Sequence, residues 1–145
     1  MRMARATASK HALAGQVWTL MFDYLIRTGP QRTRSLAKRG LTPNDSRALF
    51  SLSVDEGRTM RGLADSWECD PSHATWIIDR LEKLGLAERR SPPEDRRVKL
   101  VVLTAKGQQT RAALLEEFHK PPADLAALSR EDLESLMRVF SKLMA

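Results

Sequence analysis

The sequence of 145 residues is poor in the residues that build disulfides and metal sites. Its one cysteine, Cys69, cannot form an internal disulfide, and a zinc site made of thiolates would need several more. The three histidines, His11, His73 and His119, are scattered without the spacing of metal ligands. We therefore expect no metal or other cofactor, and a reducing, cytoplasmic setting.

Long apolar runs and catalytic motifs are also lacking. No stretch approaches the roughly 18 uncharged apolar residues of a membrane span, and the basic start of the chain is not followed by an apolar run of signal-peptide length. A glycine-rich phosphate loop, a nucleophile elbow and a constellation of paired carboxylates are missing too. We expect a protein that is neither secreted nor bound to a membrane, and that is not an enzyme.

Basic residues outnumber acidic ones, and they are unevenly placed. The 24 lysines and arginines against 18 aspartates and glutamates give a net charge of +6. Residues 1–41 hold eight of these cations and a single acid, Asp23. Such a surface suits a polyanion such as nucleic acid, although a solvated face has the same composition. The candidates for sequence-independent phosphate contacts are Arg32, Arg34, Lys38 and Arg39.

Both terminal regions predict helices with more apolar surface than one neighbouring element can cover. The first helix is expected to stop at Gly29-Pro30, with a short basic helix after it, and the last begins after Ser129. Pairing the two regions across a two-fold axis would bury both surpluses at once. Residues 8–40 and 105–145 are therefore predicted to form a homodimer.

Residues 42–104 carry the most specific pattern. Thr59 is placed to cap a short helix, Asp70-Pro71 to open a second one after a tight turn, and Gly85 to end it. Two short helices joined in this way are typical of a helix-turn-helix. The side chains on the outward face, which we expect to bind DNA, are Ser72, His73, Thr75, Trp76 and Arg80. For Trp76, packing against the core is an equal alternative.

A basic hairpin follows the second helix. Leu86 to Arg90 and the β-branched run after Val98 predict strands, and Pro92-Pro93 lies in the turn between them. A helix-turn-helix followed by such a hairpin is a winged helix, whose second helix can enter the major groove while the wing reaches an adjacent minor groove. The wing cations expected to contact DNA are Arg89, Arg90, Arg96 and Arg97, and Asp95 is expected to orient an arginine without touching DNA.

Several segments of the winged helix form a recognisable set. They are Leu63-Ala64, Asp70-Pro71-Ser72, the run from Ile78 to Leu86, Asp95-Arg96-Arg97, Leu103-Thr104 and Gly107. Together they resemble the multiple antibiotic resistance regulator (MarR) family of bacterial transcription factors, whose most specific motif is an Asp-x-Arg wing followed by Leu-Thr. The resemblance implies one domain over residues 1–145, mainly α with a small β-wing, in which N- and C-terminal dimerisation helices flank a winged helix-turn-helix.

Membership would imply a homodimer that binds a pseudo-palindromic operator in double-stranded DNA. Such a regulator is usually a repressor that a ligand, an oxidant or another signal releases. The resemblance also implies a small aromatic or phenolic effector in the crevice between the dimer helices and the winged helix. The residues that could line it are Trp18, Phe22, Tyr24 and Leu49, with the helix after Thr104 closing the other side, and the alternative for each residue is ordinary packed core.

Two alternatives stay open at this point. Cys69 adjoins the start of the second helix, where oxidation would disturb DNA binding, or it is an inert turn cysteine. The whole chain could also be a winged helix used for dimerisation or protein contact without specific DNA binding. The cations of the wing favour DNA, because a protein-contact module has no reason to keep them.

Overall fold

The structure is a computed structural model and describes residues 8–145. Over those residues the chain forms seven helices and three short strands. The helices are α1 (Lys10–Ala37), α2 (Pro43–Ser51), α3 (Met60–Trp67), α4 (Pro71–Lys83), α5 (Ala105–Phe118), α6 (Ala123–Ala126) and α7 (Arg130–Leu143). The strands are β1 (Arg58–Thr59), β2 (Ala87–Arg90) and β3 (Leu100–Leu103). Arg2 and Arg5, which contribute to the basic count of residues 1–41, lie outside the described residues.

The three strands form one antiparallel sheet in the order β1-β3-β2. Strand β3 is central, so that Val101 pairs with Arg58 on one side and with Arg89 on the other. The predicted hairpin is thus present, while β1 is a strand that the sequence did not predict. The predicted fold class, mainly α with a small β-wing, is confirmed.

Helix α1 is longer than predicted. It runs through Gly29 and Pro30 as one helix of 28 residues, so the predicted stop and the separate basic helix after it are wrong. Proline removes the N–H that would donate to the carbonyl of Ile26 and usually kinks or ends a helix. One side-chain hydrogen bond spans the proline, because Nη2 of Arg32 donates to the carbonyl of Leu25 at 2.7 Å.

The hydrophobic core lies in the winged helix and receives one buried apolar side chain from α1 and one from α5. Its largest fully buried apolar side chains are Leu49, Leu52, Leu63, Ile78, Leu81, Val101, Leu103 and Leu114. Trp67 is 5% exposed, as predicted for a core residue, and its indole N–H donates to Oγ of Ser51 at 3.1 Å. Leu36 of α1 and Leu114 of α5 belong to this cluster, which fixes both helices to the winged helix.

The helix-turn-helix begins and ends at the predicted residues, with one difference in its chemistry. Oγ1 of Thr59 accepts from the N–H of Gly62 at 3.0 Å and caps α3. Asp70 stands immediately before α4, but its side chain accepts no hydrogen bond from that described helix, so the predicted side-chain cap is wrong. Pro71 at the first helical position, with its fixed φ, starts the helix instead.

Two glycines allow α5 to sit directly on the end of α4. Gly85 has φ 73°, the left-handed conformation predicted for the cap after α4. A Cβ at Gly107 would lie 1.9 Å from the carbonyl oxygen of Leu86. Thr104 joins the two glycines, because its hydroxyl donates to the Gly85 carbonyl at 2.6 Å and accepts from the N–H of Gly107 at 3.0 Å.

Helices α1 and α7 expose large apolar side chains, which we call the terminal apolar surface. Its members are Leu13, Val17, Trp18, Leu20, Phe22, Leu25 and Ile26 of α1, with Leu136, Met137, Val139, Phe140 and Leu143 of α7. No residue of α7 over 130–143 is buried. The surplus predicted from the sequence is therefore real in the single chain. None of the helices in residues 8–145 combines the length and the apolar character needed to cross a membrane.

Candidate nucleic-acid interface

Helix α4, the second helix of the helix-turn-helix, presents one exposed side, which we call the recognition face. It consists of Ser72, His73, Thr75 and Trp76, all exposed on α4. The opposite side of α4 buries Ala74, Ile77, Ile78 and Leu81 in the core. A helix held by its buried side and free on the other is what insertion into a major groove requires.

Trp76 faces outward, so the alternative of packing against the core is wrong, and its contact with DNA stays a prediction. Its side chain is 51% exposed. The imidazole of His73 stacks on it, with ring centroids 6.0 Å apart and planes inclined by 12°. The guanidinium carbon of Arg80 lies 5.3 Å from the centre of its ring. The indole is therefore flanked by neighbours one helical turn away on either side.

Arg80, predicted to contact DNA, has a partner inside the protein. Its Nε and Nη2 donate to the two carboxylate oxygens of Asp45 at 3.2 and 2.9 Å. Asp45 is fully buried, while the Arg80 side chain is 32% exposed. The same carboxylate accepts from the backbone N–H of Thr42 at 2.8 Å, in a capping box at the start of α2. The pair ties the recognition helix to α2.

Burial alone would raise the pKa of the Asp45 carboxyl. The hydrogen bonds from Arg80 and from Thr42 outweigh that effect, so the pKa of Asp45 lies below its ordinary value. The same hydrogen bond to Asp45 raises the pKa of Arg80. Both groups are charged at neutral pH, and the buried carboxylate is satisfied.

Asp45 is a residue that the sequence analysis missed. The spacing from Thr42 to Asp45 is that of a capping box, and this signal could have identified a carboxylate fixed at the start of α2. Its ion pair with Arg80 spans 35 residues, so a local pattern could not have shown it.

The tip of the wing carries two exposed arginines. Oδ1 of Asp95 accepts from the backbone N–H of Arg97 at 3.0 Å and from its Nε at 3.3 Å, which is the type of contact expected of Asp95. The Arg97 side chain is 94% exposed, so its remaining N–H donors point to solvent. Arg96 is exposed and forms no ion pair with any residue from 8 to 145.

Arg89 and Arg90, at the base of the wing, face carboxylates of the protein. Arg89 pairs with Asp79 at 2.9 Å and also with Glu82, both on α4. Arg90 pairs with Glu88 on its own strand. The DNA contacts expected of Arg89 and Arg90 stay predictions. They would require each guanidinium to bind DNA and its carboxylate partner at the same time.

The basic residues at the end of α1 divide into paired and free ones. Arg39 donates to Glu117 at 2.8 Å, and that hydrogen bond is the main reason that the pKa of Glu117 falls from 4.5 to about 2. Arg32 donates to the Leu25 carbonyl, as described above. Arg34 and Lys38 are exposed and form no ion pair within the described chain. They border a cleft of about 280 Å³ between α1 and α5, which we call the basic cleft.

The four residues predicted to line an effector pocket do not meet within the described single chain, and the pocket stays a prediction. Leu49 is fully buried in the winged-helix core. Trp18 and Phe22 belong to the terminal apolar surface, with ring centroids 6.5 Å apart. Tyr24 lies on another side of α1, because residues four apart share a helix face and residues two apart do not.

Tyr24 borders a different cavity, a cleft of about 170 Å³ between α1 and the end of α5, which we call the Tyr24 cleft. The hydroxyl of Tyr24 donates to Oδ1 of Asp124 at 3.0 Å. The sequence analysis missed the other residues that line it, which include Thr28, Gln31, Phe118, Lys120 and Pro122. They come from two segments far apart in the sequence, and only the packing of α5 against α1 brings them together.

Cys69 is half-buried and packs against the core. An open cleft beside it is lined by Asp65, Glu68, Asp70 and His73. No group of three or more side chains among residues 8–145 is arranged to hold a metal ion. The redox alternative for Cys69 stays a prediction.

Comparison with known proteins gives consistent similarities. A model of the MarR family matches residues 41–99. The chain is 30% identical over 117 residues to the transcriptional repressor MprA of Escherichia coli K12. The aligned region covers 79% of this chain and 66% of that protein.

Solved structures are similar over most of the chain. YusO protein from Bacillus subtilis has a TM-score of 0.74 and 26% identity, covering 94% of this chain and 98% of that one. A S. aureus MepR–DNA complex has a TM-score of 0.71 and 21% identity, covering 87% of this chain and 96% of MepR, and shows that the fold is shared.

Proposed function

Because the chain belongs to the MarR family, we propose that it is a transcriptional regulator that binds double-stranded DNA as a homodimer and acts as a repressor. The observation that carries this proposal is the pairing of an exposed recognition face on α4 with an exposed arginine tip on the wing. The first suits a major groove and the second an adjacent minor groove. Such a regulator acts where the bacterial chromosome is, in the cytoplasm.

The terminal apolar surface supports the dimer. Its side chains lie on the two terminal helices, and monomeric proteins rarely expose continuous apolar patches of this kind. A second copy of the chain would cover α1 and α7 together. Two recognition helices would then face successive turns of the major groove, roughly 34 Å apart, which a pseudo-palindromic operator requires.

The dimer is tested by placing a charge within the terminal apolar surface. Phe140→Asp should give a monomer with poor DNA affinity, because burial of an unpaired carboxylate is costly and a half-site alone binds weakly. Arg138→Asp is the matched control, since residue 138 is two positions away and so lies on the opposite side of α7. Sedimentation of both variants decides. A monomeric wild-type protein at micromolar concentration, or a dimeric Phe140→Asp variant, would contradict the proposed architecture.

DNA binding is tested by selecting bound sequences from a random pool at a stated salt concentration. An enriched inverted repeat is expected. Arg97→Ala should then lose about 1–3 kcal/mol of binding free energy for that repeat with an unchanged melting curve. Arg130→Ala is the control, because Arg130 is also almost fully exposed and paired with an acid, but lies on α7. Selection without any enriched repeat would favour the alternative of a protein-contact module.

The free cations at the end of α1 are proposed to attract phosphates without reading sequence. Removing both Arg34 and Lys38 should flatten the slope of log affinity against log salt by up to about 1.8 per monomer. The preferred sequence should stay the same, because phosphate contacts carry no base information. An unchanged slope would return both residues to an ordinary solvated face.

A small aromatic carboxylate is the proposed effector, and the Tyr24 cleft is its proposed site. The cleft offers the rings of Tyr24 and Phe118 beside the ammonium of Lys120, and it adjoins the basic cleft, which shares Gln31, Glu117 and Lys120 with it. Salicylate is the probe. A bound effector changes operator affinity only by its differential affinity for the two arrangements of the dimer.

Salicylate should lower operator affinity, and Lys120→Ala should weaken that response while leaving ligand-free operator binding unchanged. Lys142→Ala, which removes a cation from α7 instead, is the matched control. Salicylate binding without any change in operator affinity would show a site and no switch. An equal response in wild type and Lys120→Ala would place the site elsewhere.

A further inference from the structure

The recognition face contains an arrangement that DNA binding in general does not explain. Trp76 is the only large apolar side chain exposed on α4, within Pro71–Lys83. Its indole lies between the imidazole of His73 and the guanidinium of Arg80, at 6.0 and 5.3 Å. Stacking on both neighbours restricts the indole, so little conformational freedom remains to be lost when it binds a surface.

Arg80 is held away from the role of a phosphate or guanine ligand. Two of its N–H groups donate to the buried Asp45, and its Nη2 also lies 3.4 Å from the Gly40 carbonyl. Its guanidinium plane is fixed by this fork, because both carboxylate oxygens are engaged. What Arg80 offers to the recognition face is therefore a fixed flat support for the indole and not a free cation.

The exposed part of an indole is flat and apolar, with one N–H donor at its edge. In the major groove the apolar feature that distinguishes one base from the others is the C5-methyl group of thymine. Phosphates and sugars also line the groove, but contact with them would be independent of sequence. A rigid apolar plate at the centre of the recognition face therefore matches one base in particular.

We propose that Trp76 is a specificity-determining residue that packs against the C5-methyl group of a thymine in each half-site, and that Arg80 is the positioning residue that holds it there. The inference rests on the proposed function and goes beyond it by naming the chemical group that is read. The buried Asp45 is what orients Arg80, so the reading of one base depends on a carboxylate in the core.

The test uses the full-length protein and the inverted repeat that selection enriches. Each thymine is replaced in turn by deoxyuridine, which lacks only the C5-methyl group. At one symmetric position the wild type should lose about fourfold in affinity for one half-site and about 15-fold for both, as expected for burial of one methyl group per half-site. Trp76→Ala should bind the two DNAs equally at that position.

A matched variant separates this reading from a general effect on the recognition face. Thr75→Ala removes a neighbouring exposed side chain of α4 and should keep the full dependence on the methyl group. Loss of methyl dependence in Thr75→Ala as well, or equal wild-type affinity for every deoxyuridine substitution, would overturn the assignment of Trp76. Failure of the selection to enrich any repeat would overturn the proposed function together with this inference, so the two failures are distinguishable.

The positioning role of Arg80 is tested by Arg80→Lys. Lysine keeps a cation beside Asp45, but an ammonium cannot bind both carboxylate oxygens and also lie flat against the indole. The melting temperature should fall somewhat, because one hydrogen bond to the buried carboxylate is lost. In the folded protein the ratio of affinities for thymine and deoxyuridine DNA should fall toward one. A purely structural role would leave that ratio unchanged, and this result would overturn the positioning assignment.

Discussion

Replacement of Asp45 by alanine should lower the free energy of unfolding by about 3 kcal/mol. The carboxylate is fully buried and accepts three hydrogen bonds, two from Arg80 and one from the backbone of Thr42. Removing one partner of a buried ion pair typically costs about 3–5 kcal/mol, because the other charge stays without compensation. The Arg80 side chain is about one-third exposed and can regain some water, so the lower end of that range applies.

The assay is thermal and urea unfolding followed by circular dichroism at one fixed protein concentration, since a dimer melts at a concentration-dependent temperature. For a domain of this size about 3 kcal/mol corresponds to a fall in Tm of roughly 10 °C. Asp65→Ala is the matched control, because Asp65 is exposed on α3 and forms no ion pair within residues 8–145. That variant should stay within about 0.5 kcal/mol of the wild type.

A double-mutant cycle isolates the pair from the capping box. If the ion pair carries the effect, Arg80→Ala should cost much less in the Asp45→Ala background than in the wild type, because its partner is already gone. Strictly additive losses, or an Asp45→Ala variant as stable as Asp65→Ala, would refute the reasoning. Additive losses would mean that the ion pair contributes nothing and that Asp45 stabilises the fold only through the capping box with Thr42, which is worth about 1 kcal/mol.

Two further predictions concern α5, one at its start, where Gly107 packs against Leu86, and one at its end, where Glu117 pairs with Arg39. Gly107→Ala should unfold well below the wild-type temperature, because the new Cβ would meet the Leu86 carbonyl oxygen at 1.9 Å. A Gly107→Ala variant that melts with the wild type would contradict this. The hydrogen bond from Arg39 lowers the pKa of Glu117 from 4.5 to about 2, so this pair stabilises the fold above pH 4.5 and loses its effect as pH falls from 4.5 toward 2. Glu117→Gln should therefore reduce the loss of stability over that window in acid titrations followed by circular dichroism, and an unchanged pH profile would argue against the pair.

The parts of the fold that the sequence predicted depend on contacts within three or four residues. Thr59 caps α3 through the N–H three residues later, and Gly85 adopts the left-handed conformation that ends α4. The wing hairpin follows from a β-branched run and a proline turn. Each of these signals is read without knowing what lies across the core.

The parts that could not be predicted depend on distant partners. Pro30 normally ends a helix, yet α1 continues through it to Ala37, and Leu36 beyond the proline packs into the winged-helix core. The position of Arg80 on the second helix predicts a DNA contact, and only the fold shows that its guanidinium is hydrogen-bonded to Asp45. The pocket that the family resemblance implies includes both Tyr24 and Trp18, although helix geometry places them on different sides of α1.

The continuity of α1 has a mechanical consequence. Its 28 residues span about 42 Å. The first half carries the apolar side chains proposed to form the dimer seam, whereas Leu36, near the other end, is buried in the winged-helix core. Since no break separates the halves, a rotation of α1 at the proposed seam would be transmitted along the rigid helix to Leu36.

A tilt of about 8° around the middle of the seam, near Trp18, would move Leu36, which lies about 27 Å away along the helix, by roughly 4 Å. This exceeds the 3.4 Å rise of one base pair. The winged helix would travel with it, since Leu36 anchors α1 to the core. A very small change of angle between two protomers is therefore enough to shift each recognition helix by one step along the DNA. In the proposed dimer, the continuity of α1 would therefore make the fit to the operator sensitive to changes at the seam or in the Tyr24 cleft beside it.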